Sequence, residues 1–182
     1  VVVLEAPDGE RAECHAPPGS RRLKPAAVAA DPVQALVAEA GRQRRLGLLL
    51  VRRGGFAVGI ALGAELIVSK VDSRYVQSRT AAGGWSQHRF ARRRDNQARA
   101  STAEAAEVCV RLLVPQASRL AALVTGGDRQ SVDAVLADRR LGALRGPVAE
   151  RFLAVPDPKL TVLRASVGQA LAVRVRLLPA TG

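Results

Sequence analysis

The chain has 182 residues, 48% apolar and 24% charged, a composition that suits one globular domain, with or without a small appendage. Two cysteines, Cys14 and Cys109, and two histidines, His15 and His88, are too few for a disulfide framework or a His/Cys metal centre. The longest apolar run, residues 56–68, is interrupted by Gly59, Gly63 and Glu65 and is too short to span a bilayer; with a formal net charge of +12 the chain points to nucleic acid as its partner.

Residues 1–5 and 11–15 flank Pro7-Asp8-Gly9 and read as a hairpin. A proline-rich loop follows to Pro25. Asp31 caps a helix that has Pro32 in its first turn and is expected to run to about Arg44. Residues 46–51 are continuously apolar, hence a strand buried on both faces. In 56–62 Phe56, Val58, Ile60 and Leu62 alternate with small residues, and a turn at 63–65 leads to a third strand over 66–71, so the three form a meander. Residues 72–84 show no period. A long helix then starts near Ser86, with Ala98, Ala105, Cys109, Leu112 and Leu113 on one face and Pro115 as its stop. A strand over 120–124, a helix over 131–137, a short strand over 152–155, a helix near 159–170 and a strand over 171–178 complete the chain. Strands first, then alternating helix and strand, predict an α/β domain with a mixed sheet and flanking helices. The organisation expected is a hairpin and loop over 1–25, separate or part of the same domain, ahead of a domain over 26–182.

The most informative stretch is Gly83-Gly84-Trp85-Ser86-Gln87-His88-Arg89-Phe90-Ala91-Arg92-Arg93-Arg94. Adjacent glycines let a backbone adopt unusual angles and approach another chain closely. Trp85, the single tryptophan, is poorly sited for a core on such a loop. Four arginines on the first turns of a helix oppose its dipole, at a few tenths of a kcal/mol each, and RNA phosphates would compensate them. Only three of the 28 basic residues are lysine, Lys24, Lys70 and Lys159; arginine's planar fork suits phosphate and stacks on bases. On the residues alone the stretch is either an RNA contact or a turn followed by a solvated charged face.

The same stretch resembles the catalytic loop in the middle domain of eukaryotic and archaeal class-1 peptide release factors, whose pattern is Gly-Gly-Gln-Ser-x-x-Arg-Phe-Ala-Arg-x-Arg. Gly83, Gly84, Ser86, Arg89, Phe90, Ala91, Arg92 and Arg94 match it without a gap. The glutamine of the pattern is replaced by Trp85, and Gln87 stands two residues later. That form resembles a bacterial, actinobacterial branch of release-factor-like proteins, similar to the eukaryotic factor that frees stalled nascent chains. The resemblance implies the fold of the release-factor catalytic domain and codon-independent hydrolysis of the peptidyl-tRNA ester. It implies a catalytic role for Gln87, with Gly83, Gly84, Trp85 and Ser86 shaping the loop. It implies RNA contacts from Arg79, His88, Arg89, Arg92, Arg93, Arg94 and Arg99. The partners implied are the large ribosomal subunit at its peptidyl-transferase centre, ribosomal RNA and peptidyl-tRNA. Neither cofactor, metal nor membrane is expected.

Competing constellations are weaker. His88 has no orienting carboxylate beside it, Ser86 lacks a Ser-His-Asp set, and His15 beside Cys14 reads as a surface or core position. Asp95 is four residues before Arg99 and would pair with it. Gly126-Gly127-Asp128 suggests a phosphate cradle but lacks a lysine, so a turn with a helix cap is preferred. With no secretory leader visible and both thiols free, a cytoplasmic location is expected; with no methionine, Val1 reads as an alternative start or a cut point. Two other functions remain open: a nuclease cutting the 3′ acceptor end of tRNA, and a non-enzymatic ribosome-binding module.

Overall fold

The all-apolar run at 46–51 becomes β3 (Arg45–Arg52), the central strand of a five-stranded sheet of order β5-β4-β3-β6-β7. It pairs antiparallel with β4 (Gly55–Leu62) and parallel with β6 (Ala122–Gly127); β4 pairs antiparallel with β5 (Glu65–Ser73), and β6 parallel with β7 (Val148–Leu153). The meander and the mixed sheet are as the sequence predicts. The computed structural model describes residues 1–52, 55–73 and 86–180, except for the side chains of 73 and 86–98.

Both faces of β3 are covered, which is why its apolar run does not alternate. Leu49 and Val51 join Phe56, Val58 and Ile60 of β4 beneath α3 (Ser86–Leu112) and α4 (Arg129–Leu136). Leu46, Leu48 and Leu50 join Ala57 and Ala61 beneath α6 (Leu160–Leu171). The small residues of β4 therefore face a helix, not solvent. A Cβ on Gly59 would lie 3.1 Å from Leu163 Cδ2, so this face of β4 stays flat for α6 to approach. The expected core stripe is present on α3 and just past its end: Ala105, Cys109 and Leu113 are fully buried and Leu112 packs at the margin; Ala98 lies outside the described side chains.

The hairpin forms as β1 (Val2–Glu5) and β2 (Arg11–His15), and the last strand, β8 (Arg174–Leu178), pairs with β2 in a separate three-stranded sheet. Val2 and Cys14 of that sheet pack on Leu36 of α2 (Pro32–Ala40). Some boundaries differ from expectation. An extra helix, α1 (Pro25–Ala30), follows the proline loop, its alanine-rich run favouring a helical turn. Helix α2 ends at Ala40 because Gly41 and the arginine node below stop it. Pro115 sits inside a 3-10 turn (Val114–Arg119) that extends α3. A further 3-10 turn (Arg139–Leu141) and α5 (Gly142–Arg145), too short to show a period, join α4 to β7.

Buried Arg44, just ahead of β3, ties the loop after β2 to the end of α2. Its guanidinium donates to Pro17 O at 3.4 Å, to Ser20 Oγ at 2.6 Å and to the carbonyl of Glu39. The Glu39 carboxylate lies 3.6 Å away and also takes Arg42 at 3.0 Å. Burial pushes the Glu39 carboxyl up, but the hydrogen bonds from Arg42 and from the Arg21 N–H, with the charges of Arg42 and Arg44, outweigh it and hold it below its usual range.

Candidate functional site

Pairing registers place the ends of the five strands side by side at one edge of the main sheet. Ser73 ends β5 opposite Gly55, Gly55 faces Arg52, Val51 faces Gly127, and Gly126 faces Leu153. This is the carboxyl edge of the three parallel strands, the place where open α/β sheets put ligands. The stretch that carries the glycine pair begins just after Ser73, so it leaves from this edge.

Helix α3 returns the chain from it. The helix has 27 residues and a length of about 40 Å. The eight-residue strands beneath it span about 26 Å. The 3-10 turn that follows α3 is at the opposite edge, where Arg45 donates to Gln116 Oε1 at 3.2 Å and Ala121 N donates to Arg45 O at 2.8 Å. The first turns of α3 therefore lie toward the carboxyl edge. Among the described side chains of the helix Ser101 is the first that is buried, while Arg99 and Ala100 are exposed. Farther along, Glu107 holds Arg140 at 2.7 Å, pinning α3 to the segment after α4.

Of the residues singled out in the sequence, Arg79, Gly83, Gly84 and Trp85 lie outside the described residues. Ser86, Gln87, His88, Arg89, Arg92, Arg93 and Arg94 fall on the first turns of α3, as expected, with side chains outside the description. The pairing of Asp95 with Arg99 also falls outside it.

The competing groups that lie among the described side chains resolve into structure. Gly127 has φ +100°, and a Cβ there would lie 2.2 Å from Val51 O. On Gly126 a Cβ would be 2.7 Å from Leu153 O. The pair is glycine because β3 and β7 crowd it. Asp128 accepts from Ser131 N at 3.1 Å and caps α4, the turn-and-cap reading. Cys109 is fully buried, and burial pushes its thiol up to about 12, so it is no nucleophile. Cys14 is buried in the small sheet, where His15 Nε2 sits 3.6 Å from the Glu13 carboxylate; neither is at the carboxyl edge.

Sequence reasoning passed over three residues at that edge. Exposed Arg129 opens α4 with its Cζ 4.3 Å from the centre of the half-buried Phe152 ring. Arg52 donates to Val155 O at 2.9 Å. No spacing in the sequence announces this group, because parallel pairing of β6 and β7 is what assembles it.

Residues 44–176 match the family model described as the Actinobacteria/chloroflexi VLRF1 release factor. The chain belongs to that family. The release-factor match runs from β3 into β8 and leaves out the N-terminal hairpin. The archaeal translation termination factor aRF1 is similar in structure, with a TM-score of 0.53 and 21% identity over 69% of this chain. At that identity the likeness speaks for the fold, a mixed α/β sheet with flanking helices. The chain spans about a third of that factor's length, 34%. A second solved structure, an archaeal protein, is 19% identical over 75% of this chain and 36% of its own, with a TM-score of 0.44. No curated protein sequence matches the chain.

Proposed function

We propose that the protein hydrolyses the ester of peptidyl-tRNA on stalled ribosomes, without reading a codon, and that Gln87 is the residue on which the step depends. The reading is carried by one observation: the ungapped match of Gly83, Gly84, Ser86, Arg89, Phe90, Ala91, Arg92 and Arg94 to the release-factor loop, within the residues that the release-factor family covers. The fold and the charge of +12 support it.

The chemistry asked of such a loop is modest. The ester is already activated. Gly83 and Gly84 let the backbone enter the peptidyl-transferase centre, with Trp85 and Ser86 shaping the tip. An N–H near Gln87 faces the carbonyl oxygen as it becomes an oxyanion, and the Gln87 amide orients the attacking water. Proton transfers fall to ribosomal RNA and the tRNA's own hydroxyl, so the step calls on no metal or cofactor. Arg79, His88, Arg89, Arg92, Arg93, Arg94 and Arg99 take the surrounding RNA. The setting is cytoplasmic.

Single-turnover release from purified stalled complexes tests it. Gln87→Ala should slow release by about 100–1,000-fold, the usual effect of losing one oxyanion donor or orienting amide, with ribosome binding intact. Undiminished release would move the role to His88 or to backbone groups alone.

A further inference from the structure

We infer that the carboxyl edge of the main sheet is a second RNA contact, in which a base stacks on Arg129 and Arg52 takes the adjoining phosphate. The inference rests on the proposed reading that the loop after Ser73 works on the 3′ end of a tRNA.

Arg129 is exposed, and the ring of Phe152 covers one side of its guanidinium at 4.3 Å. The contact favours rotamers that keep the guanidinium over the ring, which lowers the rotamer entropy lost on binding. Among the described residues no carboxylate or carbonyl takes its N–H groups. Its second side is a ready platform for a base, extending the stack to ring, guanidinium and base.

Arg52 reaches the same edge from the end of β3. A Cβ on Gly127 would lie 3.0 Å from Arg52 Cγ, so the stem of Arg52 rests over the glycine two residues before Arg129. Its Nη1 is fixed to Val155 O at 2.9 Å, while its Nε is 3.8 Å from Asp157, whose side chain is 80% exposed. So loose and solvated a pair is worth little, and a phosphate can displace it. Asp128 accepts from Ser131 N at 3.1 Å as the cap of α4. Lys159, exposed just ahead of α6, adds a further cation at this edge.

The placement favours RNA over an acidic protein. Ser73, from which the loop departs, and Gly127 end strands that are three positions apart in the sheet, a separation of about 14 Å. One RNA strand whose 3′ end meets the loop can cross that distance and reach the platform. An acidic peptide would use the charges and leave the stacking face idle.

The test measures binding of a 5′-labelled RNA minihelix, an acceptor stem ending in single-stranded CCA, to the full chain by fluorescence anisotropy. Arg129→Gln is expected to raise Kd about tenfold, in line with the loss of one stacked base. Arg129→Lys retains the charge and loses the planar fork, so most of the loss should persist. Phe152→Leu, which retains apolar volume, should also weaken binding. An α3 variant with Arg89, Arg92, Arg93 and Arg94 changed to Ala serves as reference. Wild-type affinity in Arg129→Gln, with binding weakened in the α3 variant, would overturn the second contact and leave the loop reading standing. Full recovery in Arg129→Lys would overturn the stack in favour of bare charge. A wild-type chain that does not bind the minihelix would overturn both readings together.

Discussion

At the scale of single residues, two glycines illustrate opposite demands. Gly127 adopts φ +100° with the Val51 carbonyl against the place a Cβ would take. A backbone strain of about 1–3 kcal/mol comes from the angle alone, and the overlap adds to it. Gly127→Ala should therefore lower the urea midpoint sharply. Gly168 sits inside α6 with no atom within 4 Å of the place a methyl group would occupy; Gly168→Ala should stabilise by about 0.5–1 kcal/mol. Equal effects from the two would contradict this packing. Asp138 supplies a pH-dependent contribution. The side-chain hydrogen bond from Arg140, then the Arg140 backbone N–H, hold its carboxyl down at about 2, below the ordinary 3.8. A depressed carboxyl stabilises the fold above its unfolded pKa and ceases to as the pH falls through the folded one. Asp138→Asn should thus be less stable than the parent at neutral pH, with the difference shrinking between about pH 4 and pH 2. An acid unfolding series reads this directly, and a difference that stays constant with pH would assign the loss to geometry.

At the scale of elements, α3 carries a conflict between stability and function. Arg89, Arg92, Arg93 and Arg94 occupy its first turns with no acidic residue in the first turn to offset them. Changing all four to Ala should raise helix stability by a few tenths of a kcal/mol, chiefly through Arg89 at the end of the first turn. The same change should flatten the plot of log affinity for ribosomal RNA against log salt by about 3 units, at roughly 0.7 per single-strand contact. A stabilised helix with an unaltered salt slope would mean that these arginines are a solvated face. The element also shows what a sequence can reveal. Its stripe at Ala105, Cys109 and Leu113 has a helical period because one face of its C-terminal part is buried, and β3 reads as doubly buried because helices cover both its faces. The motif at 83–94 is legible as a string of residue types, whatever its geometry. By contrast α1 and α5 are too short to repeat a period, and β8 looks like any alternating strand until its pairing with β2 places it in the small sheet. Arg129 and Phe152 meet only through the β6–β7 register, so nothing along the chain marks them as neighbours.

At the scale of the whole molecule, the carboxyl edge collects the departure of the loop, the first turns of α3, and the Arg52–Arg129–Phe152 group. The opposite end carries the small sheet, whose loop Arg44 joins to β3 of the main sheet. Arg44→Ala would strip the Pro17, Ser20 and Glu39 acceptors of their shared donor and should cost about 3 kcal/mol or more, measured as a loss of urea stability. RNA binding at the far edge would then be unaffected in conditions where the variant stays folded. The bond cut at the loop is the ester of peptidyl-tRNA in the proposed function. Gln87 and backbone N–H groups suit a carbonyl turning into an oxyanion, whereas a phosphodiester is usually cut by a metal pair or by a paired acid and base. Stalled complexes carrying tRNA labelled at its 5′ end decide the matter on one gel, after any remaining peptide has been stripped. Ester hydrolysis leaves full-length tRNA with an intact CCA end that can be recharged at once, and that is the result expected. A tRNA shortened by its terminal nucleotides, and rechargeable only after repair, would contradict it.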